Sequence, residues 1–240
     1  MSEIKIFSDI DQLYTALAKK IITVLLKTKK NPHRKRINIA LSGGNTPIGL
    51  LAHLLDGYTG LNVWRYVEIY WVDERHVPFD NPESNYGSIR PFIEGLGIPL
   101  NQIHPMGSNL NTENAAKSYN ELIELIDTHR PLGSPLFDLS ILGLGADGHM
   151  ASLFPGVDHQ HDTAFCKATQ HPETGQPRIS LTLSALNRSG CCIFLASGQS
   201  KAKIISTVVK GGDNPHFPAS LIQPESPPLW YLDKAAASEL

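Results

Sequence analysis

Three short segments of this chain gather residues able to move protons or hold anions. The first is Gly143-Leu144-Gly145-Ala146-Asp147-Gly148-His149-Met150-Ala151-Ser152-Leu153-Phe154-Pro155. Histidine is the side chain best suited to general acid/base work, which makes His149 a candidate, and Asp147 stands two residues before it among glycines that let a ligand approach the backbone. The second, Ser42-Gly43-Gly44-Asn45-Thr46-Pro47, offers backbone N–H groups near a helix entrance, where partial positive charge suits a phosphate. The same glycines would equally serve a tight strand-to-helix turn. It lacks the Gly-Lys-Ser/Thr ending of a P-loop, so a small phosphoester fits better than a nucleoside triphosphate. The third, Trp71-Val72-Asp73-Glu74-Arg75-His76, packs charges that are costly to bury unless paired. Arg75 would fix a phosphate or carboxylate oxygen, or pair with a neighbouring acid. Arg178 and Lys201 are further candidate anion ligands, Lys201 standing near a helix start, where a cation is disfavoured unless an anion binds.

Each segment follows an apolar run that reads as a strand: Ile37–Leu41, Val67–Val72 and Leu139–Leu142, with a fourth at Cys191–Ala196. Helical periodicity covers 8–26, Pro47–Leu55, Thr112–Thr128 and Ser200–Lys210, with Ser8 and Asp11 as a capping box and Thr46 as the N-cap before Pro47. Alternation of this kind predicts a Rossmann-like α/β fold, a mostly parallel sheet with helices on both faces, in a single domain over 1–240. Residues 156–190 predict a small excursion of short strands. Loops at the carboxyl ends of such strands are where ligands bind.

Other chemistry fits less well. Gly143–Gly148 matches G-x-G-x-x-G, but Pro155 leaves little room for the long helix that a dinucleotide fold needs, and no acid closes a second strand some 20 residues on. His159 and His161 form a His-x-His element without an evident third ligand, so the reading is a polar loop and no metal. No G-x-S-x-G elbow occurs. Net charge is −2, hydrophobic residues make up 41% and charged ones 18%, which argues against nucleic acid or an anionic membrane as partner. The basic run Lys27–Arg36 reads as a solvated connection between helix and strand. Three cysteines, two of them adjacent and facing opposite sides of a strand, suit a reducing compartment, and the absence of an apolar leader or span predicts a cytoplasmic protein.

Together, in order and over nearly the whole chain, these motifs resemble the family of glucosamine-6-phosphate isomerases and 6-phosphogluconolactonases. Asp147–Pro155 is the most specific piece, followed by Ser42–Pro47 and Asp73-Glu74-Arg75. The resemblance implies hydrolysis of 6-phospho-D-glucono-1,5-lactone to 6-phosphogluconate without a cofactor, by a monomer. It implies His149 as general base, Asp147 as its supporting acid and Arg75 beside the reacting centre. Ser42, Gly43, Gly44, Asn45, Thr46, Arg178 and Lys201 would hold the phosphate, with Asp73 also among the substrate-binding residues. Deaminases of the family carry a glutamate where this chain has Phe154, which favours the lactonase branch. Departures are Met150 for the usual threonine and Asn45 where serine or arginine is common. The remaining alternatives are deamination or isomerisation of glucosamine 6-phosphate, and a non-catalytic sugar-phosphate sensor.

Overall fold

A computed structural model describes residues 2–107 and 109–240. The elements are, in order, β1 (Glu3–Phe7), α1 (Ile10–Lys29), β2 (Ile37–Leu41), α2 (Asn45–Tyr58), β3 (Val67–Trp71), β4 (Asp73–Arg75), α3 (Asn85–Gly95), β5 (Ile103–His104), α4 (Thr112–Thr128), β6 (Leu139–Leu142), β7 (Cys166–Gln170), β8 (Pro177–Leu181), α5 (Leu183–Leu186), β9 (Cys192–Ala196), α6 (Ala202–Lys210) and β10 (Leu229–Asp233).

Seven strands form one sheet in the order β1-β10-β9-β6-β2-β3-β5, and every pairing is parallel. All residues of β2, β6 and β9 are buried. Since side chains alternate along a strand, burial of every one requires cover on both faces, as the apolar runs predicted. Ile39 lies between Ile69 and Leu139 in register, at the centre of the apolar core. Helix α1 buries Leu13, Leu17, Ala18, Ile21 and Leu25, one stripe at helical spacing. Tyr119 of α4 fastens the β3 end of the sheet: its hydroxyl accepts the Trp71 N–H at 3.0 Å and donates to His104 O at 3.1 Å.

The excursion is a β7–β8 hairpin, but it is not self-contained. Asp73, Glu74 and Arg75, expected as a strand exit, pair antiparallel with Ser180, Ile179 and Arg178, giving a second sheet β4-β8-β7. Two cap assignments also differ from the sequence reading. Asp9, rather than Ser8, caps α1 by accepting the Gln12 N–H. Helix α2 begins at Asn45 behind Gly44, whose φ of 99° only glycine adopts readily, so Thr46 lies inside the first turn. Strands β1 and β10 and helix α3 were not expected; β1 and β10 are short strands at one side of the sheet, and α3 carries Pro91 in its interior.

Candidate active site

Four loops leave the carboxyl edge of the parallel sheet side by side, after β2, β3, β6 and β9. The loop after β6 is a tight turn. Gly145 N–H donates to His149 O at 2.8 Å and Gly148 N–H to Gly145 O at 3.2 Å, with Gly148 at φ 90°. His149 folds back over this turn: Nδ1 donates to Asp147 Oδ1 at 2.6 Å, and the same oxygen accepts the His149 N–H at 3.1 Å. A Cβ on Gly145 would overlap the imidazole and approach Asp147 Oδ1 to 2.6 Å, so glycine is the residue that admits this arrangement. Burial pushes the Asp147 carboxyl up, but the histidine beside it and the backbone N–H overcome this and hold it below the usual carboxylate range. With Nδ1 tied to a carboxylate, the neutral ring carries its lone pair on Nε2, and the side chain keeps 32% of its surface exposed. Phe154, almost fully buried, walls the imidazole with ring centroids 5.1 Å apart.

The turn is anchored at both ends. Gly143 N–H donates to Ser42 Oγ at 3.1 Å, and Ser42 N–H donates to Ile141 O. At the far end, Ser152 Oγ donates to Asp73 Oδ2 at 2.7 Å and Ser152 N–H to Ser180 Oγ at 3.1 Å. Asp73 is buried, and Asn85 Nδ2 donates to its carbonyl oxygen at 2.9 Å. Glu74 is buried too, its carboxylate accepting N–H groups of Arg75, Asn85 and Tyr86 and the Ser84 hydroxyl. It thereby closes the N-terminus of α3, and burial still pushes its carboxyl up. Asp73 and Glu74 thus bind protein groups and lock the β4 strand in place.

The cations are arranged otherwise. Arg75 and Arg178 are direct cross-strand partners, and among the described residues Arg75 Nη1 donates only to the Glu83 carbonyl, at 2.6 Å. Arg178 Nε is buried without a hydrogen-bond partner among the described residues. Burial and then the Arg75 charge hold the Arg178 guanidinium below its usual range, against Asp73, Glu83 and Glu74. Lys201, at the N-cap of α6, is likewise lowered by burial, with the Asp147 charge working the other way. The Thr46 and Ser197 hydroxyls lie 3.3 Å apart, which joins the loop after β2 to the loop that carries Lys201. Asn45 is exposed at the start of α2. Gly43 packs so closely on Asn85 that a Cβ would overlap that side chain, bringing the α3 N-terminus against the same loop.

The sequence reading therefore named the two cross-strand arginines, the histidine and Lys201, and it missed Asn85, Ser152, Ser180 and Ser197. Those four act through contacts across 12 to 151 residues, which no local spacing announces. The capping serine Ser84 could have revealed α3. His159 and His161 have separate partners: His159 is buried, donating to Phe154 O and accepting from Lys167, while His161 bonds Asp158.

Comparison with known proteins identifies the family. The family model described as glucosamine-6-phosphate isomerases/6-phosphogluconolactonase matches residues 8–230. The chain is 36% identical to a 6-phosphogluconolactonase of Synechocystis over 89% of its length and 88% of that protein. It is 34% identical to the human 6-phosphogluconolactonase over 98% and 92%. The solved 6-phosphogluconolactonase of Thermotoga maritima superposes with a TM-score of 0.83 at 27% identity, covering 98% of this chain and all of that one. A monomeric glucosamine-6-phosphate deaminase, 19% identical, shares the fold with a TM-score of 0.81 over 99% of this chain and all of that one. Alike in sequence from residue 8 to residue 230 and in fold over nearly its whole length, the chain belongs to the glucosamine-6-phosphate isomerase/6-phosphogluconolactonase family.

Proposed function

We infer that this chain, acting as one domain over 1–240, hydrolyses 6-phospho-D-glucono-1,5-lactone to 6-phosphogluconate. The observation that carries the reading is the His149–Asp147 pair with Nε2 left free and with Phe154, rather than a second carboxylate, against the ring. His149 Nε2 takes a proton from water as its oxygen attacks the lactone carbonyl. The tetrahedral intermediate collapses with cleavage of the bond between the carbonyl carbon and the ring oxygen, and the imidazolium returns the proton to that oxygen. Asp147 orients the ring and stabilises the imidazolium. A deaminase needs a further acid to relay protons during ring opening, and the benzyl side chain of Phe154 has no proton to give.

The 6-phosphate is the handle. Arg178, Lys201 and the backbone of Ser42, Gly43, Gly44, Asn45 and Thr46 would hold it, and Arg75 would reach toward the reacting carbonyl. Binding energy from the phosphate, remote from the bond that breaks, then positions the carbonyl against the water on His149. Asp73 supports these groups from below and is not a direct ligand in this reading. The branch is supported by curated relatives named 6-phosphogluconolactonase at 34–36% identity.

The chain is proposed to work as a cytoplasmic monomer with a small-molecule substrate and no metal or organic cofactor. Its three cysteines are free, and no helix among the described residues is long and apolar enough to cross a membrane. The decisive measurement compares initial rates on freshly prepared phosphogluconolactone, above its spontaneous hydrolysis, with rates on glucosamine 6-phosphate. Turnover of the lactone alone is expected. Ammonia release from the amino sugar would overturn the assignment, and turnover of neither would leave the sensor reading.

A further inference from the structure

The opposite edge of the parallel sheet carries a second concentration of cations. A pocket of about 800 Å³ opens there, between the segment that enters β2 and the carboxyl end of α4. Its walls are apolar at Leu125, Ile126 and Pro131 and cationic at Arg34, Lys35 and Arg130. Volumes of this size are those of small-molecule sites, and a mixed apolar and charged lining is their usual character.

The basic run read from sequence as a solvated connection is only partly so. The Arg34 and Arg130 side chains are each just 8% exposed, and both lean on one carboxylate, Asp138, at 3.6 and 2.9 Å. Two guanidiniums share a single acid, which also accepts the Asn38 N–H. Their donors exceed the acceptors on offer: Arg34 Nη1 and Arg130 Nε are buried with no partner among the described residues. Arg36, the next cation, is already matched by Glu68 at 3.2 Å, and Lys35 makes no ion pair among the described residues. The carbonyl end of α4, which would repel an anion, is covered: His129 Nδ1 and the Thr128 hydroxyl donate to Leu125 O, and the His129 and Arg130 N–H groups take the next two carbonyls. The pocket therefore holds an uncompensated positive charge beside an apolar wall.

We propose that this pocket is a second ligand site, taking a small organic anion whose carboxylate or phosphate head meets Arg34 and Arg130 and whose apolar or planar body lies along Leu125, Ile126 and Pro131. Paired guanidiniums recognise such heads by charge-assisted, directional hydrogen bonds. The site lies before β2 and β6, whereas His149 follows β6, so a ligand here is separate from the lactone. The proposal does not depend on the lactonase reading.

The probe is 8-anilinonaphthalene-1-sulfonate, an anion on a planar apolar body, followed by its fluorescence with the full-length protein. Saturable binding is expected, at least tenfold weaker in Leu125→Glu and in Arg130→Gln. It should be unchanged in His149→Ala and in saturating 6-phosphogluconate. Leu125 is exposed at the pocket mouth, so Leu125→Glu should keep its far-ultraviolet circular dichroism and its lactonase rate. Competition by octanoate or by adenosine monophosphate then tells an aliphatic carboxylate from a planar phosphate. Absence of saturable binding, wild-type affinity in Leu125→Glu, displacement by 6-phosphogluconate, or failure of both competitors at millimolar concentration would each overturn the site.

Discussion

Arg75 and Arg178 stand directly opposite each other on β4 and β8, and neither forms an ion pair with a carboxylate among the described residues. Like charges across an antiparallel pair repel, so the arrangement costs stability that an anionic ligand, as proposed, would recover. The nearby acids do not fill this role, because Asp73 and Glu74 are committed to Ser152, Asn85 and the start of α3.

This relationship separates the two arginines by test. Arg178→Gln and Lys201→Gln should raise KM for the phosphorylated lactone by roughly 10–100-fold, the size of a lost charged hydrogen bond, and leave unphosphorylated gluconolactone nearly unaffected. Arg75→Gln should instead lower kcat on both substrates. Steady-state kinetics on the two lactones reads the split; equal losses for Arg178→Gln on both would remove its phosphate role.

His149→Ala should reduce kcat by about 10²–10⁴-fold with a smaller change in KM. Asp147→Asn keeps the shape but loses the charge that steadies the imidazolium, and a fall in kcat of at least about tenfold is expected. Near wild-type turnover by His149→Ala would eliminate the general-base step.

Gly145→Ala tests geometry without touching a functional group. The added methyl would collide with the His149 ring, so kcat should fall at least about tenfold while the fold, followed by circular dichroism, persists. Unchanged kcat would mean that the His149–Asp147 pairing at 2.6 Å is not the working arrangement.

Asp138 gives a pH signature of stability. Burial pushes its carboxyl up to about 6, despite the Asn38 N–H and Arg34 that favour the charged form. A folded-state pKa above the unfolded value means that the native protein holds the extra proton, so this group's contribution is fullest at low pH and is lost as pH rises through about 6. Between pH 7 and pH 5 the wild type should gain about 1 kcal/mol relative to Asp138→Asn, measured by urea unfolding of both at each pH. A difference that is constant with pH would contradict the shift.

A metal chelator should leave lactone hydrolysis intact, since the histidines nearest to a ligand motif, His159 and His161, are bound to Phe154, Lys167 and Asp158. Loss of activity restored by added metal would refute the cofactor-free reading.

Local patterning accounts for much of the architecture. The mainly apolar runs at Ile37–Leu41 and Leu139–Leu142 have the bounds of β2 and β6, because strands buried on both faces admit few polar positions; the two present, Asn38 and Ser140, are hydrogen-bonded to Leu136 O and to the Ser189 hydroxyl. The Thr112–Thr128 helix likewise has the bounds its periodicity predicts. Strand β1, none of whose residues is fully buried, and α3, interrupted by Pro91, carry weak local signals and were missed.

The sequence by itself determined the parallel sheet, the loops at its carboxyl edge and the pairing of His149 with Asp147, because the two are two residues apart in a turn dictated by glycine. Only the tertiary structure decided which charges remain free to bind. Glu74 is consumed by an N-terminus 11 residues away, Asp73 by a serine 79 residues on, and Arg34 is drawn from a basic run into a buried contact with Asp138. A charge's role depends on its partners and its desolvation, and both are fixed by chain segments that meet only when the sheet is assembled.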